Sequence, residues 1–222
     1  MDYKKIAAAV EPRSGTGTQD WVYRVLREGI VSGALKGGTQ LKQDEISDAL
    51  NVSHIPVREA LRQLEAQRLV TILPNRGASV TELSREMLID MMQVRAAIST
   101  AMLRLAIPRM TEEDFAALDA NLAEQRACTN AVAYEKLNNA FHELMNARAT
   151  NPVAELMTEN IHANIDRYLR SSFYDNEADR AHSIEEHEKI ADACKNRDVE
   201  RAVALLNAHI LDAVSRIPSE LQ

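Results

Sequence analysis

The 222-residue sequence predicts a mainly α-helical protein in two parts, a small amino-terminal module with a little β-structure and a larger all-helical part. Two observations predict this fold class. All seven glycines lie at or before Gly77, so residues 78–222 lack the residue that tight strand turns favour and suit long helices instead. Upstream of Gly77, two helical patterns are followed directly by two β-branched runs.

The amino-terminal module contains two short amphipathic patterns within residues 43–69, with a break at Asn51. Their apolar positions are Ile46, Leu50, Val52, Val57, Leu61, Leu64 and Leu69. The break ends at Ser53, which is a favoured N-cap residue. Pro56 suits the first turn of the second helix, where an amide has no intrahelical acceptor. These features predict a helix-turn-helix.

A hairpin is predicted directly after the two helices. Residues 70–73 and 78–81 are β-branched runs on either side of the turn sequence Pro74-Asn75-Arg76-Gly77. An amphipathic pattern within 18–33 predicts an earlier helix, and residues 35–41 predict either a loop or a short strand that pairs with the hairpin. Residues 18–82 therefore predict a winged helix, preceded by a mobile arm over residues 1–17.

The remaining residues, 83–222, predict an all-α bundle. The predicted helices are Arg85–Ala106, Glu112–Cys128, Ala131–Ala149, Pro152–Ser171, Asp175–Lys195 and Val199–Arg216. Local start signals support them, because Thr111 with Asp114 is typical of a capping box, Asn151 precedes a proline, and Asp198 stands at an N-cap position.

Charge and cysteine content limit the possible functions. Residues 18–82 hold eight basic and eight acidic side chains, whereas residues 83–222 hold 15 basic and 23 acidic ones, so the net charge of −7 comes from the second part. A neutral winged helix needs dimerisation to collect enough phosphate contacts for DNA binding. Cys128 and Cys194 lack metal or disulfide spacing and are predicted to be buried thiols. No apolar run reaches the ~20 residues of a membrane span, so we expect a soluble, cytoplasmic protein without membrane contact.

Two stretches resemble known domains. The sequence VSHIPVREALRQLEAQRLV, with LPNRGASV after it, resembles the DNA-binding domain of the GntR family of bacterial transcription regulators. The runs LNNAFHELMNARATNPV, EEHEKIADACKNRDVERA and NAHI resemble the helical effector-binding (FCD) domain of the FadR-type branch. The resemblance implies a homodimeric transcription regulator, predicted to be a repressor, that binds double-stranded operator DNA and a small carboxylate effector.

The resemblance also implies which residues contact DNA. They are Ser53, His54, Arg58, Asn75, Arg76 and Gly77. Here His54 and Ile55 replace the Arg-Thr pair that is usual in the family, which changes the side chains near the base edges. Taken singly, Ser53 has the alternative role of a cap alone, and Arg58 that of a surface charge.

In the helical domain, the resemblance implies a divalent metal site. Its four positions are Asn138, His142, His187 and His209. Three neutral imidazoles suit Zn²⁺ or Ni²⁺, with open positions for water or a carboxylate. Asn138 stands where many members have Asp, and its neutral amide lowers the expected affinity. From composition alone, the alternative is that these histidines are polar core residues bonded to their neighbours.

An anionic effector also needs a positive partner. Arg95 and Arg167 are the predicted effector-binding residues together with Asn138, because a guanidinium can hold a carboxylate by two parallel bonds. Each arginine has the alternative of a surface ion pair. Tyr168 is a candidate for the pocket wall, and His162, which matches no ligand position of the family, could approach the pocket from its own helix.

The sequence is compatible with two other functions. Three histidines around an open metal are compatible with a metal-dependent hydrolase, although Asn138 cannot act as a general base and Glu143 and Glu186 lie beside the implied ligand faces. A helical bundle that binds a partner without catalysis is the other alternative. Neither explains the winged helix.

Overall fold

A computed structural model describes residues 2–11, 17–73, 77–82, 84–172 and 176–216. In the helix over 152–172 the backbone is described throughout, and the side chains of 159, 160, 163 and 166–172 lie outside the description. The chain divides into two compact units, Met1–Leu83 and Ser84–Gln222. None of the described helices combines the length and the hydropathy that a membrane crossing requires.

The described residues of the first unit form four helices and three short strands. They are α1 (Tyr3–Ala8), α2 (Thr18–Val31), β1 (Gln40–Leu41), α3 (Gln43–Leu50), α4 (His54–Ala66), β2 (Val70–Leu73) and β3 (Gly77–Val80). The core of this unit comes from the apolar faces of α2, α3 and α4, where Val25, Ile46 and Leu64 are completely buried. This is the winged helix that the sequence predicts.

The structure differs from the predicted mobile arm at residues 3–8, which form α1. Asp2 begins this helix by accepting a hydrogen bond from the Lys5 amide at 3.0 Å, and Tyr3 is buried. Gly29 of α2 makes the packing possible, because a Cβ there would lie 3.0 Å from Ile6 Cδ1 and 2.7 Å from Leu35 Cδ1. Helix α1 therefore packs on α2 where Gly29 has no side chain. The sequence of a six-residue helix does not by itself predict this contact.

The turn between α3 and α4 depends on one left-handed residue. Asn51 has φ 52° and ψ 53°, a conformation that asparagine tolerates better than most residues, and the Val52 amide then donates to the Ser47 carbonyl at 3.0 Å. Ser53 occupies the predicted N-cap position in an extended conformation, but its side chain makes no capping hydrogen bond. The serine side chain thus remains available on the exposed start of α4.

The three strands form one antiparallel sheet in the order β1-β3-β2. Val70 pairs with Val80 and Leu73 with Gly77, while Gln40 of β1 pairs with Ser79 on the other side. Residues 35–41, for which the sequence left a loop and a strand open, therefore contribute a strand that pairs with the wing. Residues 74–76, which follow β2 in the sequence, lie outside the described residues.

The second unit is all helical in its described residues. Its helices are α5 (Arg85–Ala106), α6 (Glu112–Ala127), α7 (Ala131–Asn146), α8 (Pro152–Ser172), α9 (Glu177–Lys195) and α10 (Val199–Ser215), and a 3₁₀ turn over Ile107–Arg109 follows α5. These bounds agree with the predicted ones within three residues. Helix α5 packs against α7, α8 and α10, and Phe141, Ile165 and Leu206 are fully buried in the shared core.

A capping box begins α6 and also connects it to the end of α7. The Thr111 amide donates to Asp114 Oδ2 at 2.7 Å, and the Asp114 amide donates to Thr111 Oγ1 at 3.3 Å. Arg148 then donates from Nε and Nη2 to the two carboxylate oxygens of Asp114 at 2.9 and 3.0 Å. The hydrogen bonds from Arg148 and from Thr111 hold the pKa of Asp114 at about 2, below its ordinary value of 3.8.

The two cysteines are free thiols. Cys194 is completely buried, and burial raises the pKa of its thiol to about 12, so it stays protonated and unreactive. The prediction of a buried thiol is confirmed for Cys194. Cys128 is only half-buried, and its sulfur donates to the Asn130 carbonyl at 3.3 Å.

Replacing Asp114 by Ala is expected to lower the free energy of unfolding by about 1–2 kcal/mol at neutral pH, since it removes a capping partner and a bidentate ion pair. Because the folded-state pKa is depressed to about 2, this contribution is present above pH ~4 and is lost as the pH falls toward about 2. Urea unfolding between pH 7 and pH 3 measures the difference.

The matched control is Asp119→Ala on the same helix, where an exposed ion pair with Lys195 is expected to contribute at most about 0.5 kcal/mol. Equal effects of the two substitutions at pH 7 would contradict the assignment.

Candidate functional site

Helix α4 presents one polar face to solvent. His54, Arg58 and Arg62 follow one another at intervals of four residues and are all exposed, and Ile55 beside them is 65% exposed. The opposite face, which includes Val57 and Leu61, is buried in the first unit. A helix of this kind can place its first turns in a DNA major groove.

Two glutamates on α4 already have partners within the unit. Glu59 Oε1 lies 3.6 Å from Arg58 Nε and 3.3 Å from Arg62 Nη1. Glu65 Oε1 instead accepts a hydrogen bond from the Ile72 amide of β2 at 3.3 Å, so it binds the wing and not a neighbour in its own helix. Glu59 therefore balances part of the positive charge of α4.

The second unit brings together three histidines from three helices. His142 of α7, His187 of α9 and His209 of α10 are buried, and one ring nitrogen of each lies within 4.8 Å of one from each of the others. The Nε2 atoms of His187 and His209 are 3.2 Å apart. Phe141 stacks on the His187 ring with 4.2 Å between the ring centres and holds its plane.

A chain of buried amides determines the tautomer of His187. The Asn121 Nδ2 atom donates to the Leu137 carbonyl at 3.1 Å, so Asn121 turns its oxygen toward Gln125. Gln125 Nε2 donates to that oxygen at 2.6 Å, which leaves Gln125 Oε1 facing His187 Nδ1 at 3.0 Å. Because this oxygen can only accept, His187 carries its proton on Nδ1 and a lone pair on Nε2.

A carboxylate orients His209 in the same way. Glu186 Oε2 lies 2.8 Å from His209 Nδ1. Partial burial raises the pKa of Glu186, but the hydrogen bond and the positive charge of His209 outweigh it and hold the pKa below its ordinary value. An ionised Glu186 requires a proton on His209 Nδ1, so in the neutral ring Nε2 again carries the lone pair.

The two Nε2 atoms therefore face each other at 3.2 Å, an arrangement that is satisfied either by a proton on one of them or by a metal ion between them. Burial, with a smaller effect of Arg95, lowers the pKa of both His142 and His187 well below the ordinary value, so neither of these rings is a favourable proton carrier. Zn–N bonds of ~2.0–2.1 Å around a tetrahedral ion place neighbouring nitrogens about 3.3 Å apart. The residues present fit a divalent transition ion.

Other predicted site residues are placed as follows. Asn138 is buried on α7 one turn before His142, and its Nδ2 donates to Asn139 Oδ1 at 3.4 Å. Arg95 is 5% exposed on α5, and its charge lowers the pKa of His142 and His187 after the larger effect of burial. The side chains of Arg167 and Tyr168 lie outside the described residues, as do Asn75 and Arg76, whereas Gly77 begins β3 with φ +79°.

A second group of potential metal ligands lies on the more exposed side of Glu186. His182 Nε2 is 3.3 Å from Glu186 Oε1 and 3.6 Å from Asp212 Oδ2. Arg216 already pairs with Asp212 and with Asp179. The guanidinium supplies positive charge to this group, so we do not assign it a metal.

The sequence interpretation missed the residues that orient the histidines. Asn121 and Gln125 are buried polar residues one turn apart on α6, beside the apolar positions Leu118 and Leu122. Amides at helical spacing on an otherwise apolar face were the available signal. The sequence predicts Glu186 beside the ligand face, and in the structure Glu186 is the hydrogen-bond partner of His209.

Comparison with known proteins relates both units to regulators. The family model described as bacterial regulatory proteins, gntR family, matches residues 18–80, and that of the FCD domain matches residues 90–212. The HTH-type transcriptional repressor RspR of Escherichia coli (strain K12) is 33% identical over 205 residues, which cover 90% of each chain. The repressor GlaR of the same strain is 28% identical and covers 86% of this chain and 92% of its own.

A solved structure of a GntR transcriptional regulator from Rhodococcus sp. RHA1 has the same fold, with a TM-score of 0.74 and 22% identity. It covers 92% of this chain and 99% of its own length. The FCD match spans more than half of the residues, and the RspR relative exceeds 30% identity over most of both chains. The chain therefore belongs to the GntR family of bacterial transcription regulators, as a DNA-binding regulator with an FCD domain.

Proposed function

We propose that His142, His187 and His209 hold a divalent transition ion, Zn²⁺ or Ni²⁺, and that Arg95 binds a small carboxylate effector beside it to modulate operator binding. The observation that carries this proposal is the convergence of three buried histidines, two of whose Nε2 atoms lie 3.2 Å apart, a spacing that suits two ligands of one tetrahedral ion.

Charge balance favours an anionic ligand at this site. The three imidazoles are neutral in the ligand form, so a divalent ion brings two positive charges into a buried site. Glu186 supplies one negative charge, which it shares with His209. A carboxylate would complete the coordination shell and pair with the guanidinium of Arg95, whereas Asn138 offers only a neutral oxygen.

On the DNA side, we propose that the exposed face of α4 reads the operator, with Ser53, His54 and Arg58 at the groove and Asn75, Arg76 and Gly77 of the wing at the backbone. The eight basic and eight acidic residues of 18–82 leave the module neutral. A homodimer that binds two half-sites supplies the phosphate contacts that a single neutral module lacks.

We further propose that the protein acts as a repressor, by analogy with RspR and GlaR, whose names describe them as repressors. The ligands come from α7, α9 and α10, so effector binding at the ion ties three helices of the FCD domain together. A change in their packing would alter half-site spacing in the dimer. The family consists of transcription regulators, which disfavours the metalloenzyme alternative.

The direct experiment measures binding to DNA that flanks the protein's own gene, by fluorescence anisotropy at 150 mM salt, with chelator-treated protein and with added Zn²⁺ or Ni²⁺. Organic acids are then screened for loss of binding and for a shift in melting temperature. No preference over competitor DNA would refute the operator proposal. A bundle that binds only a protein partner predicts no ligand-induced melting shift.

Arg58→Ala is expected to weaken operator binding by roughly tenfold or more, because one exposed guanidinium of α4 no longer reaches phosphate or base. The control is Arg104→Ala, an exposed arginine of the second unit that pairs with Glu200. Anisotropy titrations of the two variants at equal salt compare them. Equal affinities would exclude α4 as the reading helix.

Gln125→Leu is expected to lower Zn²⁺ affinity by about 10- to 100-fold, since His187 loses the acceptor that holds its proton on Nδ1. Competition with a chelator of known affinity measures the change, and ¹⁵N NMR of the metal-free protein reports the tautomer. Gln93→Leu, at an exposed position of α5, is the control. An unchanged affinity and tautomer in Gln125→Leu would remove the orienting role of Gln125.

A further inference from the structure

His162 of α8 is a histidine that neither the metal site nor the fold uses. Its neighbours on α8 are Ile161, which packs against the core, and Ile165, which lies three residues later and is completely buried. Its Nε2 atom is buried, and it has no hydrogen-bond partner among the described residues. A buried polar atom without a partner is destabilising, and native proteins keep such atoms rarely and for a reason.

His162 is not a further ligand of the ion. The group of ring nitrogens that lie within 4.8 Å of one another contains His142, His187 and His209 and excludes His162. Burial, followed by the charge of Arg95, lowers the pKa of His162 to about 3, so its ring is neutral at physiological pH. A neutral ring can donate or accept one hydrogen bond at Nε2 but cannot balance a charge.

The position of His162 relates it to the same buried arginine as the metal site. Helix α5, which carries Arg95, packs against both α7, which carries His142, and α8. The charge of Arg95 acts on His142, His187 and His162 alike, although burial has the larger effect on each. A carboxylate bound by Arg95 beside the three histidines therefore has His162 near its remaining atoms.

We propose that Nε2 of His162 hydrogen-bonds a hydroxyl group of the effector, so that the FCD domain selects a small hydroxycarboxylate over the same acid without the hydroxyl. This inference rests on the proposed carboxylate site. A hydroxyl matches a neutral imidazole because each group both donates and accepts. A second carboxylate would be less favourable, because a neutral ring offers it no counter-charge in a buried site.

The test compares lactate with propionate, which differ by one hydroxyl, by calorimetric titration of the Zn²⁺-loaded protein. Wild type is expected to bind lactate at least about tenfold more tightly, because the acid without the hydroxyl leaves Nε2 of His162 unpaired. In His162→Phe, lactate affinity is expected to fall to that of propionate while propionate affinity stays within about twofold. His162→Gln is expected to restore part of the preference.

Thr158→Val is the matched control on the same helix, one turn earlier, where the hydroxyl already donates to the Ala154 carbonyl at 2.7 Å. It is expected to leave the ratio of the two affinities unchanged. A melting temperature of ligand-free His162→Phe at or above that of wild type supports a binding role, since the fold loses no hydrogen bond at Nε2.

Equal binding of the two acids by wild type, or an equal loss of both in His162→Phe, would overturn the assignment of His162 and leave the carboxylate site intact. Binding of neither acid in the presence of Zn²⁺ would count against the carboxylate site itself, and the inference would fail with it. The two failures are therefore distinguishable.

Discussion

The site in the second unit depends on one constraint, the close approach of the Nε2 atoms of His187 and His209 in a buried environment. His187 and His209 turn their Nε2 atoms toward each other at 3.2 Å, and each has its proton held on the other nitrogen. If both Nε2 atoms carried lone pairs, they would repel each other at this distance. Burial lowers the pKa of His187 and so opposes a proton on that ring. A proton on one of the two Nε2 atoms, or a metal ion between them, satisfies both nitrogens.

The surrounding helices maintain that constraint through polar contacts in the core. A backbone carbonyl of α7 orients Asn121, Asn121 orients Gln125, and Gln125 then holds the proton of His187 of α9 on Nδ1. The packing of α6 against α7 and α9 therefore determines which nitrogen of His187 carries the proton. Glu186 acts from the solvent side of α9 on His209 of α10. Buried polar networks are stabilising only when every member has a partner, which ties this part of the core to the state of the site.

The first unit contrasts with this polar part of the second unit. Its core is apolar, its helix-turn-helix turns at the left-handed Asn51, and its exposed α4 carries positive charge that Glu59 partly balances. The eight basic and eight acidic residues of 18–82 leave this module without net charge, so a single copy collects few phosphate contacts.

The sequence by itself determined the elements whose causes are local. The helices of the second unit were predicted to within three residues from apolar periodicity, capping pairs such as Thr111 with Asp114, and the lack of glycine. The resemblance pointed to His142, His187 and His209. Only the tertiary structure decided that α1 docks on Gly29 and that Gln125 orients a ring 62 residues away. Such contacts join distant segments through space, and local pattern carries no information about them, because a side chain's hydrogen-bond partner is set by which helices pack together.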